Sequence, residues 1–255
     1  MPMPMVCTRR HPVTGALRAG AAVALSVAGA ALLTLAGPAP AGASAGSLPL
    51  PQRMADTGGG RQLITAQAPS VGATTGTVEW WQRRNGRWHR AGSAPARFGA
   101  NGLTEGATRV QGTSTTPTGL YDLPFAFGLA PAPPGTLTPY RRVTGDAWWC
   151  EDNASTSYNR WVRPRPPDCA AAESERLADH PVQYARAVVV GFNYHHLVRG
   201  RGAGIFLHVN GRGATAGCVS VPAGAMARIL SWLRPAQQPH LAIGTTYGPT
   251  ALTHY

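Results

Sequence analysis

Cys218 and His208 are the two residues of this sequence whose types and spacing suit covalent chemistry. His208 lies in an otherwise apolar run, Ile205 to Val209 (IFLHV), and a Gly-rich connection, NGRGATAG, is expected to turn tightly from that run to Cys218 and VSVP. Two adjacent strands joined by such a loop would bring both side chains to one end of a sheet. That places them within the hydrogen-bond reach a Cys/His nucleophilic pair requires. An imidazole at that distance is expected to lower the pKa of the thiol. Gly217 allows the backbone to approach a substrate closely, so the N–H of Cys218 and a neighbouring amide could hold the oxyanion of a tetrahedral adduct. A buried strand thiol and a satisfied core histidine would explain the same two residues without any chemistry.

The remaining cysteines bear on that choice. Cys150, Cys169 and Cys218 lie beyond the N-terminal segment, an odd number for an oxidising compartment, where thiols normally pair. Cys150 and Cys169 flank a loop-like, Pro-rich stretch, and a disulfide between them would favour the folded state through chain entropy. That pairing leaves Cys218 free. A zinc site built from Cys150, Cys169 and a histidine such as His180 lacks any C-x-x-C or H-x-x-x-H spacing, so no metal is expected. His195 and His196 read as loop residues.

The first 45 residues carry Arg9, Arg10 and Arg18, an apolar small-residue run from Ala19 to Ala36, and Ala43-Ser44-Ala45. This is the pattern of a cleavable secretory signal peptide, which implies a secreted or cell-wall protein with no stable membrane insertion after cleavage. Residues 46–60, rich in Pro and Gly without periodicity, read as a flexible linker. The whole sequence has 23 Lys plus Arg against 11 Asp plus Glu, a formal charge of +12, and every one of the basic residues is Arg. A basic exported protein is drawn toward anionic wall polymers. No aromatic-interleaved basic run accompanies the charge, so nucleic-acid binding is not expected.

From residue 61 onward the pattern is that of a single, mainly β domain. RQLITA, GTVEWWQRR and RWHRAG alternate, with Asn85-Gly86 marking a hairpin turn in the region 61–107. Within 108–245, short strands are expected at Tyr121 to Gly128, Tyr140 to Val143, Tyr184 to Phe192, Ile205 to Val209, Cys218 to Val221 and His240 to Gly244. Met226, Ile229, Leu230 and Leu233 recur at helical spacing and predict a helix over 223–233, ended by Pro235. A weaker helical signal covers 170–177. The sum is a sandwich or barrel with a helix after the strand that carries the nucleophile.

TTPTGLYDL (Thr115 to Leu123), IFLH and TAGCVSVP together resemble an L,D-transpeptidase catalytic domain, over about 108–244. The family's T-P-x-G segment corresponds to Thr116 to Gly119, its upstream His to His208, and its Gly-Cys segment to Gly217 and Cys218. Ala216 stands where the family has a second His, and Ser220 where it has Arg or Asn. GDAWWCEDNASTSYNRWV, SERL and AVVVGFN resemble a divergent exported actinobacterial group.

The resemblance implies a Cys218 thioester with a peptidoglycan peptide stem, passed to an amine with His208 moving protons, and no metal or organic cofactor. It also suggests Thr215, Arg212 and Ser220 as substrate-binding residues. Trp149, Tyr158 and Asn159, with Trp148, Trp161 and Asp146, are candidates to line a peptide or glycan groove, against the alternative of aromatic core packing. Hydrolysis of the same thioester, and an inactive wall-binding module, are the competing functions. A papain-like peptidase is disfavoured because its Cys precedes its His in the chain.

Overall fold

The computed structural model describes residues 48–255, so the expected signal peptide lies outside the described residues. A helical turn α1 (Leu50–Arg53) leads into β1 (Gln62–Ala68), β2 (Thr75–Arg84) and β3 (Arg87–Arg97), followed by β4 (Leu103–Glu105), β5 (Thr116–Asp122), β6 (Ala126–Gly128) and β7 (Tyr140–Arg142). An inserted portion holds β8 (Trp148–Cys150), β9 (Arg160–Val162) and β10 (Glu175–Arg176). The chain ends with β11 (Ala187–Val189), β12 (Phe206–Val209), β13 (Val219–Val221), helix α2 (Ala223–Trp232) and β14 (His240–Thr245).

Eleven strands form one sheet in the order β4-β5-β14-β1-β2-β3-β13-β12-β11-β6-β7, and β10-β8-β9 form a second, small sheet. The predicted hairpin is β2–β3, with Asn85 at φ 49° and Gly86 at φ 75°, the paired positive φ values of a type I′ turn. That hairpin is part of the main domain: Arg97 on β3 pairs with Ser220 on β13. Alternation then divides the side chains. Ile64, Val78, Val188, Leu207, Val219, Val221 and Leu241 turn inward and meet Met226, Ile229 and Leu230 of α2 in one core. Burying each of those large side chains stabilises the fold by about 1.5–3 kcal/mol. The sheet curls around this core without closing, since β4 and β7 stand at its two ends.

Three expectations need correction. The described part of the 46–60 linker is packed: Leu50 and Met54 join Trp81, Trp88 and Leu252 in a small core, and Ala55 and Asp56 donate backbone hydrogen bonds to Thr253 and Tyr255. The apolar residues of that Pro-rich stretch find a hydrophobic surface, which periodicity alone does not reveal. The weak helix at 170–177 is instead the 3-10 turn Ala171–Glu173, strand β10 and the start of a second 3-10 turn, Leu177–Asp179. Finally, β12 and β13 run parallel, so the connection between them must travel back along the sheet instead of turning tightly. It does so with Thr215 paired to the backbone at Gly99.

Candidate active site

Parallel pairing sets the positions of Cys218 and His208. Leu207 lies opposite Val219 and His208 opposite Ser220, which puts Cys218 level with Phe206. Phe206 N–H reaches the Cys218 sulfur at 3.3 Å, consistent with that register. Cys218 and His208 therefore share the outer face of the sheet, one strand and two residues apart, a backbone separation of roughly 8 Å from the strand rise and spacing. No hydrogen bond joins the sulfur to the imidazole at rest. The thiol donates instead to the carbonyl of Gly204, at 3.3 Å.

The Cys218 backbone is fixed by two hydroxyls. Thr215 Oγ1 donates to the Cys218 carbonyl at 2.7 Å, and Thr116 Oγ1 donates to the same oxygen at 3.1 Å. Thr116 also accepts the Gly99 N–H at 2.8 Å. The T-P-x-G segment thus serves the site by pinning the peptide that carries Cys218. Gly217 N–H is taken by Thr215 Oγ1 at 3.1 Å, whereas Cys218 N–H makes no hydrogen bond among the described residues. Gly217 adopts φ 137°, a conformation open to glycine and strained for other residues.

His208 Nδ1 lies 2.8 Å from the Val209 carbonyl. A carbonyl only accepts, so Nδ1 carries the proton and Nε2 keeps its lone pair. Burial lowers the His208 pKa to about 4, and the neutral ring is the resting form. The expectation that the imidazole would lower the thiol's pKa is overturned. Cys218 is buried, desolvation disfavours its thiolate, and the nearby Glu175 carboxylate adds to the upward shift. Thiol and imidazole both rest uncharged.

Cys218 lies where two clefts meet. The larger, of about 790 Å³, is lined by Arg109, Trp148, Glu151, Glu175, Tyr184 and Gly204 among others. The smaller, of about 350 Å³, brings together His208, Arg212, Thr215 and Cys218. Glu175, His180, Tyr184 and Ala216 border both. Tyr184 donates to Glu175 at 2.7 Å, His180 contacts the other Glu175 oxygen at 3.0 Å, and the Tyr184 ring meets His208 edge-on at 5.6 Å.

Several candidate binders lie elsewhere. Trp149 and Tyr158 are fully buried and Asn159 nearly so, and none of the three lines either cleft. Asn159 Oδ1 accepts from Trp149 Nε1 at 2.9 Å and from Gly204 N–H at 3.1 Å. Its amide donates to the Phe192 and Asn193 carbonyls. These residues support the cleft from beneath, because aromatic area in a mostly β insertion is needed to build that insertion's own core. Trp161 packs edge-on against Phe125 and Phe127, and Asp146 forms an exposed pair with Arg163. Ser220 is buried and donates to Asn210 at 2.8 Å, so it does not face the cleft. Arg212 is exposed on the smaller cleft. Cys150 and Cys169 form the expected disulfide, and Cys218 is the free cysteine among the described residues.

In a comparison against known families, the family described as YkuD: L,D-transpeptidase catalytic domain matches residues 73–245. The chain belongs to the YkuD family. The match begins at Ala73, so the family's domain takes in the β2–β3 hairpin as well as the 108–245 segment. No curated protein matches the chain in sequence. A similar solved structure, that of Bdellovibrio bacteriovorus Bd1075, is 17% identical with a TM-score of 0.37, over 72% of this chain and 48% of that one. This chain thus spans about half of that protein's length.

Arg109, Glu151 and Glu175 were not apparent from the sequence as site residues. The usable signal was scarcity: with only 11 acids in 255 residues, Glu151 directly after a disulfide cysteine and Glu175 in the SERL segment stand out.

Proposed function

We propose that this YkuD-family chain is an exported cysteine acyltransferase that acts on peptidoglycan peptide stems, with Cys218 as nucleophile and His208 as base. The observation that carries it is the free Cys218 thiol at the junction of two clefts, on the same sheet face as a neutral His208 whose Nε2 is unprotonated. In the acylation step His208 Nε2 takes the thiol proton as sulfur attacks a stem carbonyl. Cys218 N–H, which has no other partner among the described residues, donates to the oxyanion. The imidazolium then returns its proton to the departing amine, a terminal D-alanine, and a thioester remains. An amine from a second stem resolves the thioester to a cross-link, and water would resolve it to a hydrolysed stem.

The long resting separation of sulfur and imidazole fits a site that tightens only with substrate bound, as catalytic hydrogen bonds often do. Intact-protein mass spectrometry after incubation with a tetrapeptide stem or a carbapenem tests the proposal. A covalent adduct on the parent protein that is absent from Cys218→Ala is expected. An unmodified parent protein, or an adduct that persists in the variant, refutes it.

A further inference from the structure

A buried guanidinium and a partly buried carboxyl flank Cys218, and neither has an ionic partner. Arg109 is 6% exposed, and its guanidinium donates from Nε to the Thr115 carbonyl at 2.8 Å and from Nη1 to the Arg201 carbonyl at 3.1 Å. Its Nη2 makes no hydrogen bond and Arg109 forms no ion pair among the described residues. That nitrogen lies against Gly217, where an added Cβ would come within 2.9 Å of it. On the other side, a Cβ on Gly204 would fall 2.3 Å from Glu151 Oε1. The Glu151 carboxylate also has no hydrogen-bond or ionic partner among the described residues. Gly204 is the residue whose carbonyl holds the thiol, and Gly217 immediately precedes the nucleophile. Both glycines have positive φ, 64° and 137°, and their missing side chains make room for the two groups beside the sulfur.

A buried guanidinium left unpaired is costly unless a ligand completes it, and a partly buried carboxyl without an ionic partner stays protonated until a cation reaches it. Both line the larger cleft, too far apart to pair with each other, so the complementary ligand carries an anion and a cation on neighbouring atoms. We propose that Arg109 and Glu151 clamp the acyl acceptor as a zwitterionic α-amino-acid head, Arg109 holding its carboxylate and Glu151 its ammonium. The proposal rests on the acyl-enzyme chemistry above and assigns the acceptor side of it.

Burial and the neighbouring Glu175 push Glu151 up to about 8, against the pull of Arg109, which brings it into the range where it can exchange a proton with an amine. Glu151 gives its resting proton to solvent as the acceptor ammonium arrives, and in the transfer step its carboxylate takes one proton from that ammonium. The freed nitrogen attacks the thioester carbonyl, a C–N bond forms and the C–S bond breaks. The second nitrogen proton passes through His208 to the departing Cys218 thiolate, which restores the thiol and leaves Glu151 protonated as at rest.

Glycine, glycinamide and methylamine as acceptors separate the contributions, because glycinamide keeps the amine and lacks the carboxylate. Transfer from the acyl-enzyme to glycine is expected to exceed transfer to glycinamide at least tenfold, about the loss of one charged hydrogen-bonded contact. Arg109→Gln should erase that preference and Arg109→Lys restore part of it. Glu151→Gln should lower the ratio of transfer rate to acylation rate by about tenfold or more for all three amines. Because Arg109 also binds two backbone carbonyls, the wild-type glycine-to-glycinamide ratio serves as the mutation-free arm. A separate NMR titration of Cys218→Ala reads glycine binding over glycinamide without any acylation. Equal use of glycine and glycinamide by the wild type together with equal binding by Cys218→Ala overturns the clamp. Selective glycine binding with no acyl-enzyme overturns the acyltransferase proposal and leaves the charged pair as a binding site.

Discussion

Lowering the pH from 7 to 4 should destabilise this protein through His208 by an amount that follows from its burial. The ring is 5% exposed, and its folded pKa of about 4 lies below the ordinary 6.5. Between those values the unfolded chain binds the proton and the folded chain does not. The stability present in full above about pH 6.5 is therefore lost as the pH falls toward 4. At about 1.36 kcal/mol per pH unit, the loss across this window is about 3 kcal/mol. Replacing His208 by Gln removes the titration while keeping a polar side chain of similar reach. Urea unfolding followed by tryptophan fluorescence, with seven tryptophans as probes, should show the wild type losing about 3 kcal/mol more than His208→Gln between pH 7 and pH 4. Asp146, Asp152 and Asp168, whose pKa values are held low by hydrogen bonds, titrate in both proteins and cancel in the comparison. Parallel pH profiles for the two proteins would refute the buried, neutral histidine. The same neutral ring predicts that kcat/KM for acylation falls only as the pH approaches about 4, well below the range of an ordinary histidine.

Three further outcomes follow from the geometry. Replacing both Cys150 and Cys169 by Ser opens a loop with a sequence separation of 19, which on the chain-entropy estimate costs about 3 kcal/mol, visible as a lower urea midpoint at constant slope. Thr116→Val leaves the buried Gly99 N–H without its acceptor and removes one of two hydroxyls from the Cys218 carbonyl. It should cost about 1–3 kcal/mol in urea unfolding and slow acylation of Cys218 by a donor stem. Gly204→Ala places a methyl group 2.3 Å from Glu151 Oε1 at a φ of 64°, so a stability loss of about 1–2 kcal/mol and a fall in acyl transfer are expected. Unchanged transfer in a folded Gly204→Ala protein would contradict the close approach of carboxylate and nucleophile.

Elements whose signals are local were readable from residue order alone. Asn85-Gly86 specified its hairpin because both residues tolerate positive φ, and Met226, Ile229 and Leu230 specified α2 because their spacing matches the helical period. The order of Thr116, His208 and Cys218 was legible because strand ends and motif residues are contiguous in the chain. Cys150 and Cys169 could be paired because they flank a short, Pro-rich, loop-like stretch.

The surroundings of the sulfur depend on contacts between segments distant in the chain. Whether Trp149 and Tyr158 face a groove or a core depends on which side of a small inserted sheet is covered, and alternation over three-residue strands carries too little information to say. The parallel pairing of β12 and β13, which fixes Cys218 and His208 two residues out of step on one face, depends on the path of a loop paired to Gly99. Arg109 and Glu151 lie 67 or more residues before Cys218 in the chain, and no spacing rule links them to it. Their positions, and with them the protonation states of His208, Cys218 and Glu151, come from burial, a property of the folded chain that no segment of the sequence possesses alone.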